Sequence, residues 1–357
     1  MDPISQGAIG AALPQALQNS EEFYQRAKTV TWVGCLAGMS PDLDVFIRSP
    51  TDPLLFLEFH RQFTHSLFFI PIGALICALA FSRFAKPTLD FKQTYLVCFF
   101  AYCTHAMLDA CTSYGTQLLW PLTNHRFAFN NIAVVDPFAT IPLVACVISA
   151  VVWRKVLIAR LGLAWFLFYL GMGFVQQNRA LGVAETLAAQ RGHGEAEISI
   201  KAGFGNILLW KSIYTVDDVY YVDAVRVGIG AKIYEGTSIE KLDVERDLPW
   251  LDRDSQQGVD LERFRWFSKD YLAIDPERAN LVIDLRYSML PNEVNSLWGI
   301  GLRIDATPSD HVTFEADRDA TPERREIFLA MLMGDSCIPQ STGRDSSESS
   351  QNCAIEL

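Results

Sequence analysis

"HRQFTHSLFFIPIGALICALAFS", residues 60–82, sets two histidines, an arginine and two hydroxyl residues directly against a long apolar run. Ionisable side chains at membrane depth cost roughly 2.5–3.5 kcal/mol each on insertion scales, and where they occur they usually mark function. The stretch therefore predicts an apolar helix that starts near Ser66 and a polar site at its mouth.

Working outward, apolar runs recur at 66–82, 94–108, 137–153 and 161–175. Roughly 20 helical residues span a bilayer, and with their flanks all four runs approach that length. Two shorter, more polar candidates, 6–18 and 29–47, precede them. The first lacks the basic start and long apolar centre of a cleavable signal peptide. The fold class expected for residues 1–176 is thus an α-helical membrane bundle of about four long and two short helices. Six of the eight cysteines lie in this apolar half without a CxxC pattern and read as small hydrophobes.

Residues 1–176 carry 11 Lys+Arg against 10 Asp+Glu, whereas the remainder carries 19 against 31. Within the apolar half, Arg83, Lys86 and Lys92 fall between the first two long runs, and Arg154, Lys155 and Arg160 between the last two. Loops rich in Lys and Arg stay cytoplasmic, so both termini are expected outside. Residues 177–194 read as a helical connector. From about 195 the period becomes two, in "AEISIKAGF", "NILLWKSIYTV", "VYYVDAVRVGI" and "LVIDLRYSML", with turn points at Asp217 and Asp218. A soluble β-rich domain over 195–335 follows, with Phe264, Trp266 and Phe267 as core aromatics. The Ser-rich tail, 336–357, is expected to be disordered. The acidic second half argues against a nucleic-acid partner.

Four of the six histidines, His60, His65, His105 and His125, lie between 60 and 125. In "HAMLD", His105 and Asp109 stand at i and i+4, one turn apart on one helix face, where imidazole and carboxylate can meet one ion. Asp42 and Asp44 of "SPDLD" would repel each other in an apolar segment unless a cation lies between them. His60 and His65, at i and i+5, point about 140° apart on a straight helix. A break near Phe63 and Thr64 would bring them together.

On the topology read from the loop charges, Asp42, Asp44, His60, His65, His105, Asp109 and Asp136 all fall at the outer ends of their helices. Carboxylates mixed with imidazoles suit Zn²⁺, Mn²⁺ or Fe²⁺ rather than Ca²⁺, and the number of candidate ligands points to two or more ions. Ser113, Tyr114 and Gln117 are candidates to orient ligands or substrate. Arg61 and Arg126 are candidates to hold an anion, and Asp136 to manage a proton. His125 reads equally as a surface residue.

Taken together, the start "MDPISQGAIG", "PDLD", "HRQFTHS", "HAMLDACTSYGTQLLWP" and "VVDP" resemble the YdjM-like family of inner-membrane, metal-dependent hydrolases, over about residues 1–176. The resemblance implies a metal site of Asp42, Asp44, His60, His65, His105 and Asp109. The HxxxD helix is also similar to that of zinc-dependent phospholipase C. One departure stands out: Ser5 and Gln6 occupy positions where the family pattern has Thr and His. Either one metal position is lost or loosened, or Gln6 supports the site without ligating.

The combined reading is a multi-pass protein of the bacterial inner membrane, in contact with membrane lipids, with its site and C-terminal domain on the periplasmic face. It is expected to be an enzyme that hydrolyses a phosphoester or lipid-linked substrate with metal-activated water. Asp136, Arg61, Ser113 and Tyr114 would be its catalytic residues. The alternatives are a proton- or metal-coupled transporter or channel, and a structural anchor whose metal only staples helices.

Overall fold

The computed structural model describes residues 1–317, 321–339 and 351–356. Two units emerge. Met1–Ile47, Glu58–Phe174 and Phe204–Asn206 form the first; Arg48–Leu57, Val175–Gly203 and the chain from Ile207 onward form the second.

The first unit is helical. Asp2 caps α1 (Pro3–Ala16), its carboxylate accepting from the amides of Ile4 and Ser5, with Pro3 at the first helical position. Asn19 caps α2 (Ser20–Met39), which runs into a 3-10 turn at Ser40–Phe46. A short α3 (Leu55–Phe59) and a second 3-10 turn, Phe63–His65, lead to α4 (Ile70–Ala85). The break expected near Phe63 is there: the chain bends by 86° between the two segments. Then come α5 (Phe91–Cys111), opened by a capping box of Asp90 and Gln93, α6 (Pro137–Trp153) and α7 (Val156–Gln190). The segment read as a separate connector is largely the continuation of α7.

Small residues let α1 and α2 touch backbone to backbone. A Cβ added at Gly10 would lie 2.7 Å from the Gly34 carbonyl oxygen, and one at Gly34 2.5 Å from that of Gly10. Val30, Val33 and Ala37 of α2 pack with Ala74 and Ala78 of α4 and Val97, Cys98 and Ala101 of α5. Outward, Ile72, Ile76 and Leu79 of α4, Ile141, Ile148 and Val152 of α6, and Leu161, Leu167 and Phe168 of α7 are exposed. Apolar rows of this extent mark contact with another apolar phase.

All six expected helices are present, α6 at the expected bounds and the others shifted or extended. Among the described residues only Val156–Gln190 is long and apolar enough to cross a membrane, or two spans if the bent pair Leu55–His65 and Ile70–Ala85 counts as one. The helices α4 and α6 have 16 and 17 residues, at the lower edge of the roughly 17–25 that a crossing takes.

The second unit is β-rich. One antiparallel sheet comprises β1 (Ile198–Ala202), β2 (Leu209–Val216), β3 (Val219–Val227), β4 (Ala231–Tyr234) and β5 (Ser238–Glu240), the last pairing with β3. The expected Asp217–Asp218 turn joins β2 to β3, both residues at positive φ as a tight hairpin requires. Two helices, α8 (Val244–Asp247) and α9 (Gln256–Ser268), precede a second antiparallel sheet, β6 (Leu272–Asp275), β7 (Arg278–Asp284), β8 (Trp298–Gly301) and β9 (Thr313–Ala316). Ile213, Tyr220 and Val222 of the first sheet pack on Ala273, Leu281 and Ile283 of the second. Phe264 and Phe267 are core residues as expected, whereas Trp266 is exposed.

After α10 (Pro322–Met333), the tail departs from the disordered expectation at both of its ends. Strands β10 (Cys337–Pro339) and β11 (Gln351–Cys353) pair, a Cys337–Cys353 disulfide joins them, and β12 (Ile355–Glu356) adds to β4. Two lone cysteines flanking a polar stretch carry no signal of pairing until the fold places them opposite each other. The intervening Ser-rich residues, 340–350, lie outside the described residues.

Two lysines occupy the inter-sheet space. Lys201 and Lys211 face each other across β1 and β2, both buried, and among the described residues neither forms an ion pair. Lys201 donates to Ser199 Oγ at 3.1 Å, and Lys211 to Ser288 Oγ and the Glu293 carbonyl, each at 2.7 Å. Burial pushes both ammonium groups down to about 7, with Arg286 adding to the effect at Lys201. A lysine in the unfolded chain titrates near 10.4, so between these values the unfolded state binds more protons and stability rises with pH. Thermal unfolding of the β-rich unit should therefore shift upward from pH 7 to 9, by up to about 1.4 kcal/mol per lysine per pH unit. The Lys201→Met, Lys211→Met double variant should flatten that slope, and near-ultraviolet circular dichroism melts across the range would measure it.

Candidate metal centre

The ends of four helices supply the residues. Gln6 lies near the start of α1, Asp42 and Asp44 on the turn after α2, His65 on the turn before α4, and His105 and Asp109 near the end of α5. Asp42, His65, His105 and Asp109 each bring one donor atom into a single group. His65 Nε2 and His105 Nε2 are 2.8 Å apart, and each lies 3.4 Å from Asp42 Oδ1. Asp109 Oδ2 is 3.2 Å from His65 Nε2 and 3.6 Å from His105 Nε2. Ligands bound at 2.0–2.1 Å with inter-ligand angles between 90° and the tetrahedral value lie about 2.8–3.4 Å apart. All of these separations but the 3.6 Å one fall in that range.

Protonation logic leads to the same conclusion. His105 Nδ1 lies 2.6 Å from the Gly38 carbonyl oxygen, which only accepts, so Nδ1 carries the proton and Nε2 presents a lone pair. His65 Nδ1 faces Asp44 Oδ2 at 3.2 Å, which likewise directs the Nε2 lone pair inward. Asp42 Oδ1 and Asp109 Oδ2 are buried with no hydrogen-bond partner, and they are the two carboxylate atoms of the group. Four electron-pair donors thus converge where nothing donates to them, and a divalent cation fits this set. Two imidazoles with two carboxylates suit Zn²⁺, Mn²⁺ or Fe²⁺.

A second group, Asp42, Asp44 and His60, shares Asp42 with the first. It is the weaker of the two because Asp44 is already engaged. Its Oδ1 lies 2.7 Å from His60 Nδ1, and its Oδ2 accepts from the Arg61 amide at 3.0 Å and from Thr64 Oγ1 at 2.7 Å. Asp44 therefore orients both His60 and His65 from behind.

Gln6 resolves the departure noted in the sequence. Its Nε2 donates to Asp109 Oδ1 at 2.7 Å, leaving Oδ2 turned toward the imidazoles; the Met1 amino group also meets Oδ1. Through its amide nitrogen Gln6 thus braces a candidate ligand. Its own Oε1 is buried without a partner.

The remaining candidates separate. Arg61 is buried, with Nη1 donating to Thr112 Oγ1 at 2.8 Å. Its Nε lies 3.0 Å from Asp109 Oδ2 without hydrogen-bond alignment, so it compensates charge and leaves that oxygen's lone pairs unclaimed. Tyr114 lies between Arg61 and Arg126, with guanidinium carbons 4.8 and 5.8 Å from its ring centre, and 5.5 Å from the His60 ring. Arg126 is held by the carbonyls of Gly115 and His60 at 3.3 and 3.1 Å. Both arginines thus build the loop around the site. Ser113 is buried in that loop, and the Gln117 side-chain amide is buried with neither end bonded.

Asp136 does not join the group. Its carboxylate caps α6, accepting from the amides of Phe138 and Ala139, and Tyr169 Oη donates to it at 2.9 Å. An Asp before a Pro at a helix start serves first as a cap, which accounts for the difference from its expected proton-handling role. His125 is exposed, its ring against Phe127. Sequence reasoning missed Gly38, a backbone carbonyl with no side-chain signature, and Thr112, the partner of Arg61.

Residues 1–180 match the family described as YdjM inner membrane protein. No curated protein and no solved structure matches the chain.

Two expectations follow for the purified protein. His65→Ala and Asp109→Ala should each abolish bound divalent metal, read by elemental analysis, while circular dichroism stays at wild-type helicity; full occupancy in both would remove the assignment. Gln6→Leu should weaken metal binding about 10- to 100-fold, as loss of a ligand's hydrogen-bond partner does, without abolishing it.

Proposed function

The chain belongs to the YdjM inner membrane protein family, and from that premise we propose that it is a membrane-bound, metal-dependent hydrolase acting on a phosphoester or lipid-linked substrate. The observation that carries this reading is the uneven burial of the donor group. The side chains of His65, His105 and Asp109 are wholly buried, whereas Asp42 is 22% exposed. A staple needs no such opening, but a hydrolytic centre must admit water and substrate at one corner. When bound, the ion supplies Lewis-acid polarisation of the scissile group and lowers the pKa of a water.

The chain's own residues divide the remaining work. His65 and His105 present fixed lone pairs, and Gln6 and Arg61 steady Asp109. His60 is 18% exposed, and its Nδ1 is held by Asp44. An ionised carboxylate only accepts, so His60 Nδ1 donates and Nε2 is left to take or give a proton. His60 therefore replaces Asp136 as the proton-handling residue in this proposal. Burial of the site among apolar helices at one set of helix ends suits a substrate that enters from the membrane surface.

Orientation is supported by two features. The ends of α4, α5 and α6 remote from the donor group carry Arg83, Lys86, Lys92 and Arg154, the charge pattern of a cytoplasmic side. The Cys337–Cys353 disulfide suits an oxidising compartment for the C-terminal strands, the periplasm in a Gram-negative cell.

The activity test is a panel of phosphomonoesters, phosphodiesters and lipid phosphoesters offered to the metal-loaded protein in detergent. Turnover should vanish with chelator, return with Zn²⁺ or Mn²⁺, and be lost in Asp109→Ala. Metal-replete protein that turns over no substrate would favour the structural staple instead. For orientation, a membrane-impermeant maleimide should label Cys337 and Cys353 in intact cells, with the outer membrane permeabilised, only after reduction; labelling that requires inner-membrane lysis would reverse the assignment.

A further inference from the structure

Lys201 and Lys211 of the β-rich unit are direct cross-strand partners on β1 and β2, only 6% and 4% exposed. Like charges directly opposite each other in an antiparallel pair repel, and burial without a counter-charge adds to the cost. An ammonium has three donors. Lys201 places one on Ser199 Oγ and lies 5.3 Å from the centre of the Tyr271 ring. Lys211 places two, on Ser288 Oγ and the Glu293 carbonyl oxygen. Hydrogen bonds therefore claim only half of the donors that the pair offers.

The carboxylates around the pair are engaged elsewhere. Asp284, whose charge reaches both lysines, is held by Arg286 through Nε at 2.9 Å and Nη2 at 2.7 Å, and accepts from Trp298 Nε1 at 3.2 Å. Glu293 acts on Lys211 through space, while its Oε2 lies 3.7 Å from Arg324. Arg286 and Lys269 add further positive charge at Lys201. Cations thus outnumber the carboxylates that face them. Ser199 Oγ accepts from Lys201 and has a proton of its own to donate, whereas Ser288 gives its proton to the Leu290 carbonyl. Ser199 and Tyr271 are half-buried, and β1 is the end strand of its sheet, so the pair stands one layer behind an open edge.

We propose that Lys201 and Lys211, together with Ser199, form a binding site for a tetrahedral oxyanion of the phosphate class. The anion binds as a ligand through charge-assisted hydrogen bonds, and no covalent bond forms or breaks. A free phosphate and a phosphate-bearing lipid headgroup share this chemistry. The site has no residue in common with the metal centre and stands whether or not that reading holds. Both amines titrate near 7, so the anion meets charged partners below that value and loses them as the pH rises through it.

Isothermal titration of the chelator-treated full chain in detergent with sodium sulfate, whose charge is constant from pH 6 to 9, tests the site. Sulfate should bind at pH 6 and about tenfold or more weaker at pH 9. At pH 6, Lys201→Met and Lys211→Met should each weaken binding by about tenfold or more, the effect of removing one charged hydrogen bond, and Lys201→Arg should largely retain it. Both Met variants should fold, because replacing a buried charge with an apolar group of similar volume costs little; if one does not, the other decides. No binding at pH 6, or equal binding by wild type and the folded Met variants, would overturn the proposal. Inorganic phosphate and a short-chain phosphatidic acid, each competed against sulfate, separate the two sources. Tighter competition by the lipid assigns a headgroup, tighter or equal competition by inorganic phosphate assigns a free anion, and failure of both overturns the phosphate class.

Discussion

Two imidazole nitrogens 2.8 Å apart, both directed inward by their partners, and two buried carboxylate oxygens with no donor form an arrangement that repels itself. In a medium of low dielectric such a cluster is stable only around positive charge. Arg61 supplies part of it from one side, poorly aligned, the Met1 amino group meets the far oxygen of Asp109, and a divalent cation would fit the remainder. The helical unit is organised around this requirement. Polar residues gather at the ends of α1, α2 and α5 and on the turns beside them, while the lengths of these helices are given over to small and apolar side chains.

Close packing makes the convergence feasible. Because Gly10, Gly34 and Gly38 allow α1 and α2 to meet without intervening side chains, Gln6 of α1 comes within reach of Asp109 on α5. The same seam places the Gly38 carbonyl where it fixes His105. A Cβ at Gly38 would fall 2.7 Å from the Gln6 carbonyl, so larger residues there would spread the helices and the ligands with them. Packing and the convergence of the donor atoms are in this sense one constraint.

Legibility in the sequence followed the range of the interaction. His105 and Asp109 were readable because four residues is one helical turn. His60 and His65 were readable as a pair only by postulating a break, which the Phe63–His65 turn supplies. Asp136 was assigned by its apparent place at a helix end, and Arg61 by the affinity of a guanidinium for anions. Position at a helix end does not distinguish a cap from a proton carrier, nor does residue type distinguish an arginine that binds substrate from one that neutralises a neighbouring carboxylate. The strand periods from 195 onward were legible, but the pairing of Cys337 with Cys353 was not, since nothing local to either cysteine encodes it.

By itself the sequence determined the kinds of elements and the residue types at their ends: apolar helices first, alternating strands afterward, and imidazoles with carboxylates set where helices stop. These are properties of neighbours within a turn or two, where periodicity and capping act. Only the tertiary structure decided which oxygen of Asp109 faces the imidazoles, that Gln6 holds the other, that Tyr169 meets Asp136, and that Cys337 stands opposite Cys353. Each depends on side chains brought together from distant segments, and their separations arise from packing that no local pattern specifies.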